Sequence, residues 1–288
     1  MRKVLGLVGA TLLFAGSASA ADLLKAPAMP LGPVPSWTGW YIGATAGYGW
    51  SNEGIDNHIT STFCNPALGG CIGTPAFSNA LAAAIPPHLS TNPKGFIGGG
   101  EFGYNHQLGQ FVLGVEADVS GADIKGSDVQ AGAAVPVGFP GNVVAAAAAA
   151  NEKLDFLATL RGRLGFLVTP SLLAYGTAGF AFGHVSTTTA LAEAVGGPCF
   201  CGPTPVAVAA SSSATLPGWT AGGGLEWLIA PQWSVKGEYL YYDLGTLSTT
   251  LPQLAQTNGA GAPFFGANVS ASTVVKGSIA RIGVNFHF

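Results

Sequence analysis

The chain has 288 residues, of which 9% are charged and 48% hydrophobic, with 43 Gly, 19 Pro and a formal net charge of −3. An average soluble domain carries about 25% charged residues, so a water-facing globular surface is hard to build from this composition, and the 10% aromatic content excludes disorder. With 11 Lys and Arg against 14 Asp and Glu there is no basic excess for nucleic acid, which leaves a membrane protein or a very apolar secreted one.

Arg2 and Lys3 precede an apolar run from Val4 to Ala15 and the small residues Ala18, Ser19 and Ala20. This order predicts a signal peptide over residues 1–20, cut after Ala20, because about a dozen apolar residues are too few to cross a bilayer of about 30 Å as a helix. Its removal moves the formal charge from −3 to −5. Residues 21–36, with Pro27, Pro30, Pro33 and Pro35, suit an extended lead-in. No later apolar run is long enough for a helical span; Ala131 to Ala150 is broken by Pro136, Gly138, Pro140 and Gly141. A closed β-barrel is the other way to pair every backbone group inside a membrane.

Eight alternating segments follow. Residues 37–50 set Trp40, Ile42, Ala44, Ala46, Tyr48 and Trp50 against Tyr41, Gly43, Thr45, Gly47 and Gly49, and residues 95–107 set Phe96, Phe102 and Tyr104 against Ile97, Gly99, Glu101 and Asn105. Residues 111–121 oppose Phe111, Leu113, Val115 and Val119 to Glu116 and Asp118, and residues 154–168 oppose Leu154, Phe156, Leu160, Leu164 and Phe166 to Asp155, Thr159, Arg161 and Arg163. Residues 172–184 are apolar on both sides, so their facing is open. Residues 217–229 set Trp219, Leu225 and Trp227 against Thr220 and Glu226; residues 232–246 set Trp233, Val235, Tyr239 and Tyr241 against Ser234, Lys236 and Glu238; residues 274–288 set Ile282, Val284, Phe286 and Phe288 against Arg281, Asn285 and His287.

The connections at 107–110, 169–171 and 230–232 are short, whereas 51–94, 122–153, 185–216 and 247–273 are long. Strict alternation of this kind, with both termini on the short-turn side, predicts an all-β, eight-stranded antiparallel up-and-down barrel over residues 37–288, with periplasmic turns and extracellular loops in the cell outer membrane. An interior of eight strands just holds side chains, so the aromatic face is assigned to lipid, with Trp37, Trp40, Trp50, Tyr104, Phe111, Trp227, Trp233 and Tyr241 as girdle residues. Outer-membrane lipid is then the expected partner.

Several blocks in this order resemble the small outer-membrane proteins of alphaproteobacteria known as the porin family or surface antigen family. They are Trp37-Thr38-Gly39-Trp40-Tyr41, Gly103-Tyr104-Asn105, Gly114-Val115-Glu116-Ala117-Asp118, Arg161-Gly162-Arg163-Leu164-Gly165, Tyr175-Gly176-Thr177, Glu238-Tyr239-Leu240-Tyr241-Tyr242 and Gly283-Val284-Asn285-Phe286-His287-Phe288. The resemblance touches all eight strands, while the long Ala-rich connections and four cysteines depart from the usual pattern. The terminal Phe288, after Phe286, Val284 and Ile282, looks like the signal read by outer-membrane assembly machinery.

The face opposite the aromatics collects Glu101, Glu116, Asp118, Asp155, Glu226 and Glu238 with Arg161, Arg163, Lys236 and Arg281. In a narrow interior such charges must pair, which predicts a polar plug and a structural or surface-interaction role. A narrow channel for small solutes or ions is the alternative, although aqueous porins use about 16–18 strands.

No catalytic, cofactor or metal site is expected. His184 with Ser186 is the nearest approach to a triad, but a triad also needs a carboxylate at matching height; His58 and His88 lack a metal-ligand spacing. Gly98-Gly99-Gly100 is followed by another alternating segment, not by the helix that a nucleotide-binding loop opens. In an exported chain Cys64, Cys71, Cys199 and Cys201 suggest loop disulfides. Pairing within each loop and across loops both remain open, and a Cys199–Cys201 ring is the strained option. Alternation in Val206 to Ala214 suits strands that continue beyond the membrane as a tall rim, where an extracellular ligand or host surface is expected to be met.

Overall fold

The computed structural model describes residues 36–65, 67, 76–198, 205–257 and 263–288. Its elements are β1 (Gly39–Trp50), β2 (Ile55–Cys64), α1 (Ala76–Ala84), β3 (His88–Leu89), β4 (Lys94–Leu108), β5 (Phe111–Ala134), β6 (Val143–Thr169), β7 (Leu172–Gly196), β8 (Val206–Ala230), β9 (Trp233–Thr250), β10 (Leu254–Thr257) and β11 (Pro263–His287). The signal segment with its Ala20 cut site and lead-in residues 21–35 lie outside the described residues.

Eight long strands form an antiparallel ring in the order β1-β4-β5-β6-β7-β8-β9-β11, and β11 closes on β1 with Tyr41 opposite His287 and Trp50 opposite Ser278. The short turns are tight; Gly109 takes a φ of +64° between β4 and β5, a left-handed conformation that a glycine adopts without steric penalty. Within the ring, a Cβ at Gly103 would stand 2.4 Å from the Tyr41 ring. The inward glycine there makes room for a large neighbour.

Exposed Phe166, Leu164 and Leu160 follow one another up the outer face of β6. From Phe166 to Phe156 the strand climbs roughly 25 Å, at about 3.3 Å per residue and a tilt of about 40°, the height of an outer-membrane apolar band. The undecided strand is now assigned: Leu173, Tyr175, Ala181 and Val185 of β7 point inward, while Phe180 and Phe182 face out.

The long connections are mostly strand, which corrects the expected loop boundaries. β5 and β6 run on past the apolar band, pairing Gly126 with Glu152 and Ala134 with Val144, and β7 and β8 pair up to Glu193 opposite Val206. On the other side of this extension β2 takes the place beside β11 that β1 holds lower down. The reason is that alternation persists in sequence of low contrast, with Ala, Val and Thr such as Ala146, Thr187, Thr189 and Val195 inward and Ala, Ser and Thr outward. Alanine is a poor strand former by propensity, and here packing overrides it.

The small inward residues Ala146, Ala148 and Ala150 of β6 leave room for α1, whose Leu81 and Ala84 are buried with Ile55, Leu89 and Phe265 in one apolar cluster. At Gly132 of β5 a Cβ would lie 2.3 Å from the Ala84 carbonyl oxygen, so the helix end rests directly on the strand. Two carboxyl groups are buried in this water-side extension. Glu152 accepts a hydrogen bond from Thr91 Oγ1 at 3.0 Å, and Glu193 has no hydrogen-bond partner among the described residues.

Burial pushes both Glu152 and Glu193 from the ordinary 4.5 up to about 7. A carboxyl group raised in the folded state favours the protonated form, so its stabilising contribution is complete below about pH 4.5 and is lost as pH rises through about 7. Hydrogen exchange over α1 and the upper part of β7, corrected for intrinsic rates, should therefore quicken between pH 4.5 and 7.5. Glu193→Gln should remove the Glu193 share of that change.

Candidate functional site

The membrane-level interior is stacked in layers. At the periplasmic end Trp37, Val112, Leu173 and Leu228 form an apolar floor. Higher up, Ile97, Ile124, Leu154, Leu157 and Leu240 form an apolar ceiling. Between them lie buried charges, contributed by β4, β5, β6, β8, β9 and β11 because alternation sends every second side chain inward.

Arg161 is the centre of this layer. Its Nη1 donates to Glu238 Oε1 at 2.9 Å, Nη2 donates to Asp118 Oδ2 at 3.0 Å and to Glu116 Oε1, and Nε donates to Thr159 Oγ1 at 2.9 Å. Arg281 reaches two of the same acids, with Nε donating to Glu238 Oε2 at 2.7 Å and Nη1 to Asp118 Oδ1 at 3.0 Å. Lys236 Nζ lies 2.6 Å from Glu101 Oε1, as an ion pair, and donates to Glu116 Oε2 at 3.1 Å.

Arg163 starts a second knot below. It donates to Glu226 and sits 3.7 Å over the Tyr175 ring, an arrangement in which the ring face attracts the cation. Glu226 also accepts from Ser234 Oγ at 2.5 Å and Asn285 Nδ2 at 2.9 Å. The tyrosines join the two knots: Tyr41 Oη donates to Glu116 Oε2 at 2.7 Å, and Tyr175 Oη donates to Glu238 Oε1 at 3.1 Å. Bonds of this kind between ionised partners are about twice as strong as neutral ones. Glu116, Asp118, Glu226 and Glu238 each share their oxygens among several donors, and Glu101 is held by its ion pair with Lys236, so ionised groups are tolerated where a lone charge would not be.

The structure brings together Glu101, Glu116, Asp118, Arg161, Arg163, Glu226, Lys236, Glu238 and Arg281, and it excludes Asp155. That residue is a correction. Irregularities at Leu154/Phe156 on β6 and Gly121/Ile124 on β5 shift the side-chain phase by one position, as bulges do. Leu154 turns inward, and Asp155 faces out beside Lys153 Nζ at 2.5 Å.

A second correction concerns Trp37, assigned to the girdle but fully buried in the floor. Its indole N–H donates to the Pro170 carbonyl at 3.1 Å and its backbone N–H to Gln107 Oε1 at 3.0 Å, while its ring stands edge-on to His287 at 5.8 Å. A buried indole needs such a partner, and the turn between β6 and β7 supplies it. Trp40, Phe111, Trp227 and Trp233 are exposed at the periplasmic end, and Tyr104 lies against Trp40 at 4.9 Å. At the other end Tyr241 stands 5.4 Å from Trp219, and Trp50 is half-buried, 6.2 Å from Tyr239. Phe288 is exposed next to Phe286, its backbone N–H donating to the Trp40 carbonyl at 3.0 Å.

Ser186 Oγ donates to Asp155 at 3.2 Å, but His184 Nδ1 is bonded to Thr215 Oγ1 at 3.2 Å. The histidine therefore does not stand between hydroxyl and carboxylate as a triad requires. Cys64, at the end of β2, is disulfide-bonded; Cys71, Cys199 and Cys201 lie outside the described residues. The polar alternation singled out the acids and bases, whereas Tyr41, Tyr175, Ser234 and Asn285 were missed as network members. Tyr41 was legible from its place on the glycine-rich face of β1.

Residues 8–288 match the family described as "Outer membrane protein beta-barrel domain". The chain is similar to the 31 kDa outer-membrane immunogenic protein of Brucella melitensis, at 33% identity over 293 residues covering 100% of each chain. It also resembles the 25 kDa outer-membrane immunogenic protein of Brucella abortus, at 28% identity covering 84% of this chain and 85% of the relative. The 22 kDa outer membrane protein of Rhizobium leguminosarum bv. viciae is 27% identical, covering 74% and 67%. Among solved structures, Neisserial surface protein A aligns with a TM-score of 0.30 at 12% identity, covering 87% of this chain and 98% of that one.

Arg161→Ala leaves Glu116, Asp118 and Glu238 facing one another without their shared guanidinium. The expected loss is about 3–5 kcal/mol, read as a lower urea midpoint for unfolding of the refolded barrel. Lys276→Ala, which breaks the half-exposed pair with Glu53 at 3.1 Å, should leave that midpoint nearly unchanged because solvent-accessible pairs contribute little.

Proposed function

The chain belongs to the outer membrane protein beta-barrel domain family, and from that premise we propose that it is a closed surface barrel of the cell outer membrane. It contributes to envelope structure and meets the exterior through its extension, without passing solutes and without chemistry of its own. The observation that carries this reading is the Arg161 cluster, in which charged groups from facing walls meet at hydrogen-bond distance across the lumen. A water-filled passage would have to part these pairs, and the apolar layers above and below offer water few partners. The names of the Brucella relatives, which describe immunogenic proteins, favour surface exposure over catalysis. Exposure of Phe288 at the end of β11 supports its reading by the assembly machinery.

A narrow channel is the competing reading, the one implied by the sequence's resemblance to porin-family blocks such as Arg161-Gly162-Arg163-Leu164-Gly165. Planar bilayers containing the purified, refolded protein separate the two. The closed barrel gives no steady conductance steps; reproducible steps whose ion selectivity changes in Arg161→Gln or Arg163→Gln overturn it. Surface presentation is tested separately by inserting a short epitope after Gly138, in the turn between β5 and β6, where φ is +85°. Antibody binding to intact cells is the expected result, and binding only after the envelope is breached rejects it.

A further inference from the structure

The outer wall carries little charge, and that charge is gathered rather than scattered. Among the described residues the outward Lys and Arg side chains are Lys94, Lys125, Lys153 and Lys276. Three of them stand side by side: Lys94 of β4 is in register with Lys125 of β5, and Lys125 with Lys153 of β6. Residues paired in this way share one face, and neighbouring strands lie about 4.8 Å apart. The row therefore collects three ammonium groups on a patch whose Cα atoms span about 10 Å. Like charges directly opposite one another are unfavourable, and all three side chains are exposed, so packing gives no reason for the arrangement. An anion does.

The height of the row says which anion. Lys94 lies two positions above Phe96, which is 77% exposed on the same face of β4, and beyond the row the outward residues of β6 are Asn151, alanines and, at the strand's far end, Val143. The lysines thus stand at the upper rim of the apolar band, where lipid headgroups begin. Ser186 of β7 and Ser213 of β8 continue the same register and add hydroxyl donors. Asp123 holds Lys125 at 3.1 Å and Asp155 holds Lys153 at 2.5 Å, while Lys94 has no ion-pair partner among the described residues. Exposed pairs of this type contribute little, so phosphate oxygens can replace the two carboxylates. We propose that the row Lys94, Lys125 and Lys153, with Ser186 beside it, seats the phosphate-bearing headgroup of a lipid in the outer leaflet.

The test uses the mature full chain in nanodiscs of phosphatidylcholine doped with diphosphoryl lipid A or with its dephosphorylated form, and native mass spectrometry counts the lipid retained. Wild type should retain the phosphorylated form. Lys94→Gln, Lys125→Gln and Lys153→Gln combined should lower that retention by about tenfold or more. Lys276→Gln should retain it as wild type does, and Asp123→Asn with Asp155→Asn should raise retention by freeing two lysines. Unchanged retention in the triple variant, equal retention of the dephosphorylated lipid, or an equal loss in Lys276→Gln overturns the proposal. None of these substitutions touches the interior, so their outcome does not depend on whether the barrel conducts.

Discussion

Inside a bilayer no water is available to satisfy a backbone N–H or C=O group, and each one left unpaired costs several kcal/mol. The pairing of β1 with β11 answers that constraint, since it removes the free edges of the ring. Closure with eight strands also fixes the bore. A bore this narrow must be filled by side chains, and those side chains sit on strands whose other face is given to lipid. The chain's scarce charges are accordingly divided, with most of the membrane-level ones turned inward and interlocked.

Layering inside the barrel follows from the same economy of space. The indole of Trp37 lies in the apolar cluster at the periplasmic end with its N–H satisfied by Pro170, and leucines and isoleucines cluster at the other end. Between two apolar layers the charged groups are withdrawn from water, which strengthens their mutual attraction and raises the penalty for any group left out. Tyr41 and Tyr175, reaching Glu116 and Glu238, fit this setting because a phenol offers an apolar body and one directed donor. The extension repeats the logic with a different filling. There α1 and the alanines of β6 make an apolar core of their own, and the carboxyl groups of Glu152 and Glu193 are buried with no basic partner among the described residues.

The strands and their order are legible because alternation at period two is strong in the strands that set charge against an apolar lipid face; residues 172–184, apolar on both faces, leave theirs open until Phe180 and Phe182 are seen to point out. Nine of the ten expected charges therefore lie where the alternation of Glu101, Glu116 or Arg161 put them. Asp155 went astray because a bulge resets the phase, and nothing in Leu154-Asp155-Phe156 marks the position of an extra residue. Trp37 departs for another reason: it precedes β1, so alternation does not govern it, and tertiary partners set its direction, namely the Pro170 carbonyl, Gln107, His287 and the apolar floor. The extension reads mainly as loop in the sequence because alanine, serine and threonine differ too little in hydropathy to reveal which face is buried. The seat of α1 on Gly132 is a tertiary contact that no local pattern carries.

One consequence of the long strands concerns reach. From Phe156 to Val144 the strand β6 continues paired with both neighbours, which lifts its tip roughly 30 Å above the apolar band at about 3.3 Å per residue and a tilt of about 40°. A loop of the same length samples many heights, whereas a paired ribbon holds one. Exposed Val135 and Val137 at the summit are thus displayed at a set distance from the lipid, above a glycan coat thinner than that distance and beneath a thicker one.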